Sequence, residues 1–179
     1  LAITGTTMYT ALFGYVCGTY NDHGTMQPTS LKNIVLTDCN INGSNVSGGY
    51  AAGICANANL YTTVENCRVS GTIKGNYGAG GIVGYENQGN VKNCFADVTV
   101  TASVRSDYSS QAGKYVSYCI VGKIIGYVAI LGSTVTGNYY HNDGATDGTN
   151  AAITAIGKGS STTYPDDDLA TPVYTDSGT

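Results

Sequence analysis

The sequence has few charged residues and no tryptophan. Only 11% of its 179 residues are charged, eight basic and twelve acidic, and the net charge at pH 7 is −4. A typical domain has about 25% charged residues. A mildly acidic surface with so few cations cannot neutralise a phosphate backbone, so we expect no nucleic-acid partner.

Long apolar runs are also missing from the sequence. No run approaches the ~18 consecutive apolar residues of a membrane helix, so we expect no membrane insertion. No basic leader is visible after Leu1, which we interpret as a processed N-terminus or a cut from a longer protein. With 42% hydrophobic residues and little charge, the composition is typical of a folded chain.

The sequence contains no CxxC pair, which argues against a structural zinc site, and we expect neither metal nor cofactor. Six cysteines are nevertheless present, at Cys17, Cys39, Cys55, Cys67, Cys94 and Cys119. They are too sparse for a small scaffold held together by disulfides. We predict mostly free, buried thiols, with a bridge between Cys17 and Cys55, or from either to Cys119, as the alternative.

The sequence is organised as four related segments. The shared step is LTDCN (36–40), VENCR (64–68), VKNCF (91–95) and VTGNY (135–139). Before each step lies a stretch rich in glycine or alanine: ALFGY (11–15), AAGICA (51–56), GGIVGY (80–85) and GKIIGY (122–127). The first and fourth copies are longer, which places insertions near 19–30 and 102–116.

Short β-branched runs interrupted by glycine and asparagine predict several short strands in each copy and no helix. A unit of about 27 residues cannot close a core alone, but stacked units cover each other's apolar faces. We therefore predict an all-β parallel β-solenoid of about four coils with loop insertions, and the repeat argues against a β-sandwich. Two inward ladders are expected, one of Leu36, Val64, Val91 and Val135, the other of Cys39, Cys67, Cys94 and Asn138.

The repeats are expected to fill residues 1–140. Within that range, residues 1–10 are predicted to cap the N-terminal end. Residues 141–179 are rich in turn-forming residues, and we interpret them as a C-terminal cap or extension.

The run GGIVGYENQGNVKNCFADVTV (80–100) resembles the GLUG-type repeat of bacterial surface proteins. The resemblance is weaker in the other copies, and together the copies cover about residues 11–140. It implies a right-handed β-solenoid in a large secreted or cell-wall-attached bacterial protein, such as an adhesin. It implies no catalytic residues.

The residues themselves give little sign of catalysis. The two histidines, His23 and His141, are not part of an HExxH metal motif, and no GxSxG elbow is present. Asp38 and Glu65 occupy near-equivalent repeat positions one coil apart, which we interpret as ordinary solvated surface. We interpret the run Asp166 to Asp168 as a plain acidic turn; the alternative is a calcium site, because its oxygen ligands suit calcium, but the run lacks the spacing of an EF-hand loop.

Tyrosines are the best binding candidates. Tyr15, Tyr85 and Tyr127 occupy one repeat position, where the second copy has Asn57, and Tyr108 and Tyr115 lie in the later insertion. A row of exposed tyrosines suits a glycan or a host surface protein. The alternative interpretation is that the rings cover the corners between strands.

The sequence therefore predicts a non-enzymatic module of a bacterial extracellular or cell-surface protein, with a stalk or adhesion role. Two alternatives stay open. One is a subunit of a self-assembling extracellular filament or sheath, because the ends of a solenoid are open strand edges that can associate end to end. The other is a carbohydrate-binding β-helix.

Overall fold

The computed structural model describes residues 1–109, 114–129, 133–159 and 173–174. These residues form strands and no helix. Accordingly, the described part of the chain contains no helical segment long and apolar enough to cross a bilayer.

The strands follow the repeat. Residues 1–42 contain β1 (Ala2–Thr4), β2 (Tyr9–Thr10), β3 (Phe13–Cys17), β4 (Thr19–Tyr20), β5 (Met26–Gln27), β6 (Thr29–Lys32) and β7 (Val35–Asn42). The second copy contains β8 (Tyr50–Ala52), β9 (Cys55–Asn59), β10 (Thr62–Glu65) and β11 (Arg68–Lys74). The third contains β12 (Gly78–Gly80), β13 (Val83–Asn87), β14 (Asn90–Lys92) and β15 (Phe95–Thr101).

The later strands begin with a pair in the second insertion, β16 (Arg105–Ser109) and β17 (Lys114–Tyr118). The fourth copy contains β18 (Val121–Gly122), β19 (Ile125–Val128), β20 (Thr134–Thr136) and β21 (Tyr139–His141). Two more strands follow, β22 (Ile156–Gly159) and β23 (Val173–Tyr174).

Each copy contributes one strand to each of four parallel sheets. In chain order these are sheet I (β2-β8-β12-β18), sheet II (β3-β9-β13-β19-β22), sheet III (β6-β10-β14-β20) and sheet IV (β1-β7-β11-β15-β21-β23). Partners in neighbouring copies are one repeat apart, as in the pairs Tyr50 with Gly78 and Val64 with Val91. The predicted all-β class is confirmed, and the mostly parallel sheets are consistent with a β-helix-like fold.

Asparagine forms the corner between sheets III and IV. Asn33, Asn66 and Asn93 have positive φ angles of 58°, 54° and 55°, and Gly137 takes the same position in the fourth copy with φ 63°. Asparagine enters this left-handed region more easily than other residues with a Cβ. The corner between sheets II and III has the same conformation at Tyr61 and Gln88, with φ 59° and 60°.

Gly81 and Gly126 lie away from these corners and allow neighbouring backbones to approach closely. A Cβ on Gly81 would overlap the carbonyl oxygen of Lys123 in the next copy. A Cβ on Gly126 would lie 2.7 Å from the carbonyl oxygen of Gly84. Both positions therefore require a residue without a side chain.

One predicted inward ladder needs a correction in the first copy. Val64 pairs with Val91, and Val91 with Val135, but the partner of Val64 in the first copy is Leu31. Leu36 instead pairs with Val69 in sheet IV. The prediction aligned Leu-x-x-Cys of the first copy with Val-x-x-Cys of the later copies. The first copy was therefore placed five residues out of register.

The segments outside the regular layers also contain strands. The antiparallel pair β4–β5 lies within the first predicted insertion, and the pair β16–β17 lies at the second, with β17 ending at Tyr118. The predicted N-terminal cap supplies β1 and β2, which join sheets IV and I, and β22 adds to sheet II.

The Asn93 corner gives a test of the fold. Asn93 is exposed, so the variant Asn93→Val loses little packing but places a β-branched residue in the left-handed region. We expect the free energy of unfolding to fall by about 1–2 kcal/mol. The matched variant Asn93→Gly removes the same side chain without that strain. Urea unfolding that shows equal losses for both variants would contradict this origin of the corner.

Candidate functional site

A row of tyrosines crosses the strands of sheet II. The register pairs Tyr15 with Asn57, Asn57 with Tyr85 and Tyr85 with Tyr127. The rings of Tyr85 and Tyr127 stack, with centroids 5.5 Å apart and planes inclined by 18°. Tyr15, at the open end of the row, is 52% exposed.

Three further tyrosines extend this row sideways. Ring centroids lie 5.9 Å apart for Tyr9 and Tyr15, and 5.2 Å apart both for Tyr50 and Tyr85 and for Tyr50 and Tyr77. We call the whole set the tyrosine face: Tyr9, Tyr15, Tyr50, Tyr77, Tyr85 and Tyr127. Sequence analysis missed Tyr9, Tyr50 and Tyr77; the available signal was that Tyr9 and Tyr50 begin equivalent strands of sheet I.

Amide side chains border the tyrosine face. Asn59 donates a hydrogen bond from Nδ2 to the Tyr15 hydroxyl at 2.9 Å, and Asn87 donates one from Nδ2 to Asn59 Oδ1 at 2.9 Å. The Oδ1 atoms of Asn57 and Asn87 are buried without a hydrogen-bond partner among the described residues. The face therefore combines aromatic rings with amide side chains, two of which have a buried oxygen without a donor.

Burial favours the protonated hydroxyl at three tyrosines of the face, Tyr15, Tyr50 and Tyr85. Burial raises the pKa of Tyr50 and Tyr85 above the ordinary tyrosine value, with a smaller contribution from neighbouring tyrosines. Burial also raises the pKa of Tyr15, partly opposed by the hydrogen bond from Asn59. These rings are consequently neutral groups with hydroxyl donors.

The insertion that holds the other two candidate tyrosines touches this face. The Arg105 guanidinium on β16 lies 4.2 Å from the Tyr77 ring centroid. Tyr115 lies on β17, is 71% exposed and pairs through its backbone with Tyr108. The Tyr108 side chain lies outside the described part of the structure.

The predicted cysteine ladder also needs a correction. Backbone N–H groups of Arg68, Phe95 and Tyr139 donate to the carbonyls of Ile34, Cys67 and Cys94, each at 2.8 Å. Ile34 therefore takes the first-copy position, and Cys39 pairs with Gly71 in sheet IV. The physical reason is the corner, which Asn33 and Ile34 form five residues before Cys39.

Asn138 replaces cysteine in the fourth copy and bridges two backbone groups. Its Oδ1 accepts from the Cys94 N–H at 2.9 Å, and its Nδ2 donates to the Val91 carbonyl at 2.8 Å. All six cysteines carry free thiols in this structure. Contact between the thiols of Cys67 and Cys94 lowers the pKa of Cys67 and raises that of Cys94.

Charged side chains alternate along the outside of sheet III. Glu65 lies between two lysines, 2.9 Å from Lys32 Nζ and 3.4 Å from Lys92 Nζ. The hydrogen bond from Lys32 lowers the pKa of Glu65. The expected neighbour Asp38 is not in this row, because it lies in β7 of sheet IV. Its backbone there is left-handed, with a φ of 49°.

Two charged residues are buried in the interior. Glu86 is 0% exposed and accepts a hydrogen bond from the Gly89 N–H across the corner. Burial raises the pKa of its carboxyl. Lys123 is 1% exposed, and its Nζ lies 2.8 Å from the Val98 carbonyl and 2.9 Å from Asp143 Oδ2.

The two histidines lie apart in the described structure, His141 on sheet IV and His23 between β4 and β5. His141 Nδ1 lies 2.9 Å from Asp97 Oδ1, and Asp97 pairs with Ser70. Aspartate therefore stands between serine and histidine, whereas a catalytic serine must contact the histidine. His23 lies in the turn of the first hairpin, where its N–H donates to Asn21 Oδ1.

No cluster of three or more potential metal ligands occurs among the residues that the structure describes. The candidate calcium run from Asp166 to Asp168 lies outside those residues.

The Lys123–Asp143 pair predicts loss of stability in acid. Burial alone raises the pKa of Asp143, but the hydrogen bond and charge of Lys123 outweigh it and lower the net pKa below the unfolded value of 3.8. The pair therefore stabilises the fold above pH 3.8, and this contribution disappears as pH falls through the lowered pKa.

We expect Asp143→Asn to cost about 1–3 kcal/mol of unfolding free energy at pH 7, because Lys123 stays buried without its counter-ion. The difference from the unmodified chain should shrink between pH 4 and pH 2. Urea unfolding at several pH values measures it, with exposed Asp22→Asn as the control. A pH-independent difference would show that the ion pair is not the cause.

The comparisons with known proteins agree with the repeat. Residues 75–101 match the family model described as the GLUG motif. Searches of curated proteins and of solved structures found no match. The matched range begins just before β12 and ends with β15, so it spans one copy with a strand in each of the four sheets. The predicted resemblance is thereby confirmed, and the third copy of this chain matches the GLUG motif.

Proposed function

We propose that the chain is a non-enzymatic repeat module of a bacterial extracellular or cell-surface protein, with a stalk or adhesion role. The observation that carries this proposal is the GLUG motif at 75–101 together with its place in the four shared sheets. We further propose that the four sheets close into a right-handed β-solenoid.

The physical properties of such a stack suit a spacer. Hydrogen bonds between layers run along the stacking direction, and each layer buries the next through columns such as Val64, Val91 and Val135. Layers interact only with their neighbours, so length can increase without a larger core. A stack held by hydrogen bonds along its length is stiff, as a stalk needs to be. The outer faces of the stack remain available for adhesion.

Immunolabelling of the source cells tests the proposed location. Antibodies raised against the chain should bind intact cells about as strongly as permeabilised cells. Antibodies against a cytoplasmic protein serve as the control for cell integrity. Labelling that requires permeabilisation would overturn the extracellular role.

A second candidate, end-to-end self-assembly, is favoured by the first layer. Phe13 and Leu31 pair with Cys55 and Val64, which are 0% exposed. Phe13 itself is 38% exposed, and β3 is the outermost strand of sheet II in the described structure. The same end exposes further apolar side chains, at Leu1 (55%), Met8 (51%) and Leu12 (38%).

If this end binds a second copy, the isolated chain forms species above its 18.5 kDa monomer mass at micromolar concentration. Phe13→Glu should reduce the mass to the monomer, because a charge cannot be buried in the contact without a partner. Val35→Glu, at another exposed apolar residue, is the matched control. Light scattering that gives only monomer at every concentration would exclude this candidate.

A further inference from the structure

We propose that the tyrosine face, with Asn59 and Asn87 at its border, binds an extended neutral glycan chain that runs across the strands of sheet II. The proposal rests on the adhesion role and names its ligand class. It is carried by the geometry of the rings and amides on sheet II and the adjoining part of sheet I, rather than by tyrosine content.

The rings supply the apolar half of the site. A pyranose presents C–H groups on its faces, and these pack against aromatic rings. Tyr15 is exposed, and its position is fixed by the hydrogen bond from Asn59. Tyr85 and Tyr127 hold each other by stacking. Because the rings are fixed before binding, little side-chain entropy is lost when a sugar binds.

The amides supply the polar half. Sugar hydroxyls both donate and accept hydrogen bonds, and the Oδ1 atom of Asn87 has no partner in the described structure. Asn57, which is only 4% exposed, lies between Tyr15 and Tyr85 in the register, and its Oδ1 is also without a partner. Both of these oxygen atoms are buried, so a sugar hydroxyl first meets the Tyr15 hydroxyl and the Asn59 amide, whose mutual hydrogen bond is exposed.

The spacing of the row suits a linear chain. Neighbouring strands lie ~4.8 Å apart, which is close to the length of one pyranose in an extended glycan, so the four layers match about four sugar residues. Tyrosine occupies layers one, three and four, and the amide of Asn57 occupies layer two.

The charges favour a neutral ligand. The six tyrosines and three amides of the site carry no charge, and the Glu86 carboxylate beside Tyr85 is wholly buried. Arg105, the cation at the margin, is stacked on Tyr77. A polyanionic chain would find no row of cations here.

Affinity gel electrophoresis of the whole chain tests the proposal. The probes are hydroxyethyl cellulose, glucomannan, xylan and laminarin, each cast into a native gel. We expect at least one of them to retard the chain. Tyr15→Ala should weaken binding about tenfold, since an exposed ring of this kind contributes on the order of 1.4 kcal/mol.

Tyr61→Ala and Tyr139→Ala are the controls, because they remove tyrosines that are 47% and 45% exposed but lie outside the tyrosine face, at the corner after β9 and on sheet IV. Tyr85→Phe keeps the ring stack with Tyr127 and tests the contribution of the hydroxyl alone. The proposal is overturned if no probe retards the chain, or if Tyr15→Ala binds as well as the controls do. Surface labelling of cells is independent of this result, so failure here leaves the stalk role standing.

Discussion

The structure depends on one constraint, the in-register stacking of parallel strands. Each residue lies ~4.8 Å from the equivalent residue of the next copy, so each position must tolerate a near copy of itself. Apolar, aromatic and amide side chains gain from this arrangement, as the pairs Val64 with Val91, Tyr85 with Tyr127 and Asn59 with Asn87 show. Like charges are destabilised by it, and the one charged row in sheet III alternates in sign.

Departures from the repeat occur where stacking alone cannot satisfy a group. Lys123 stands in the fourth copy where the third has Gly81, and its buried ammonium reaches a carbonyl of sheet IV and a carboxylate that follows β21. Asn138 takes the cysteine position and satisfies two backbone groups of the copy beneath. Both changes lie in the fourth copy, which suggests that the last layers are built differently from a repeating interior.

The repeat period could be predicted from the sequence, and with it the strand class and the tyrosine row, because these depend only on equivalent positions. The register of the first copy with the later copies could not be predicted. Its insertion separates the glycine-rich stretch from the Leu-x-x-Cys letters, and the true corner, Asn33-Ile34, contains no cysteine. The burial of Glu86 and Lys123 could not be predicted from the sequence either. A charged residue can be recognised as buried only when its partner is known, and the partner of Lys123, Asp143, is twenty residues away in the chain.

Function in this architecture is expected on faces rather than in a cleft. A stack of similar layers produces long rows of identical chemistry and few concave pockets, so recognition suits ligands that are themselves linear and repetitive. The insertions modify such a row at chosen layers, as the β16–β17 hairpin does by placing Arg105 on Tyr77. The packing of the interior determines the positions of the tyrosine rings. The insertions then determine which part of the tyrosine row is accessible to a ligand.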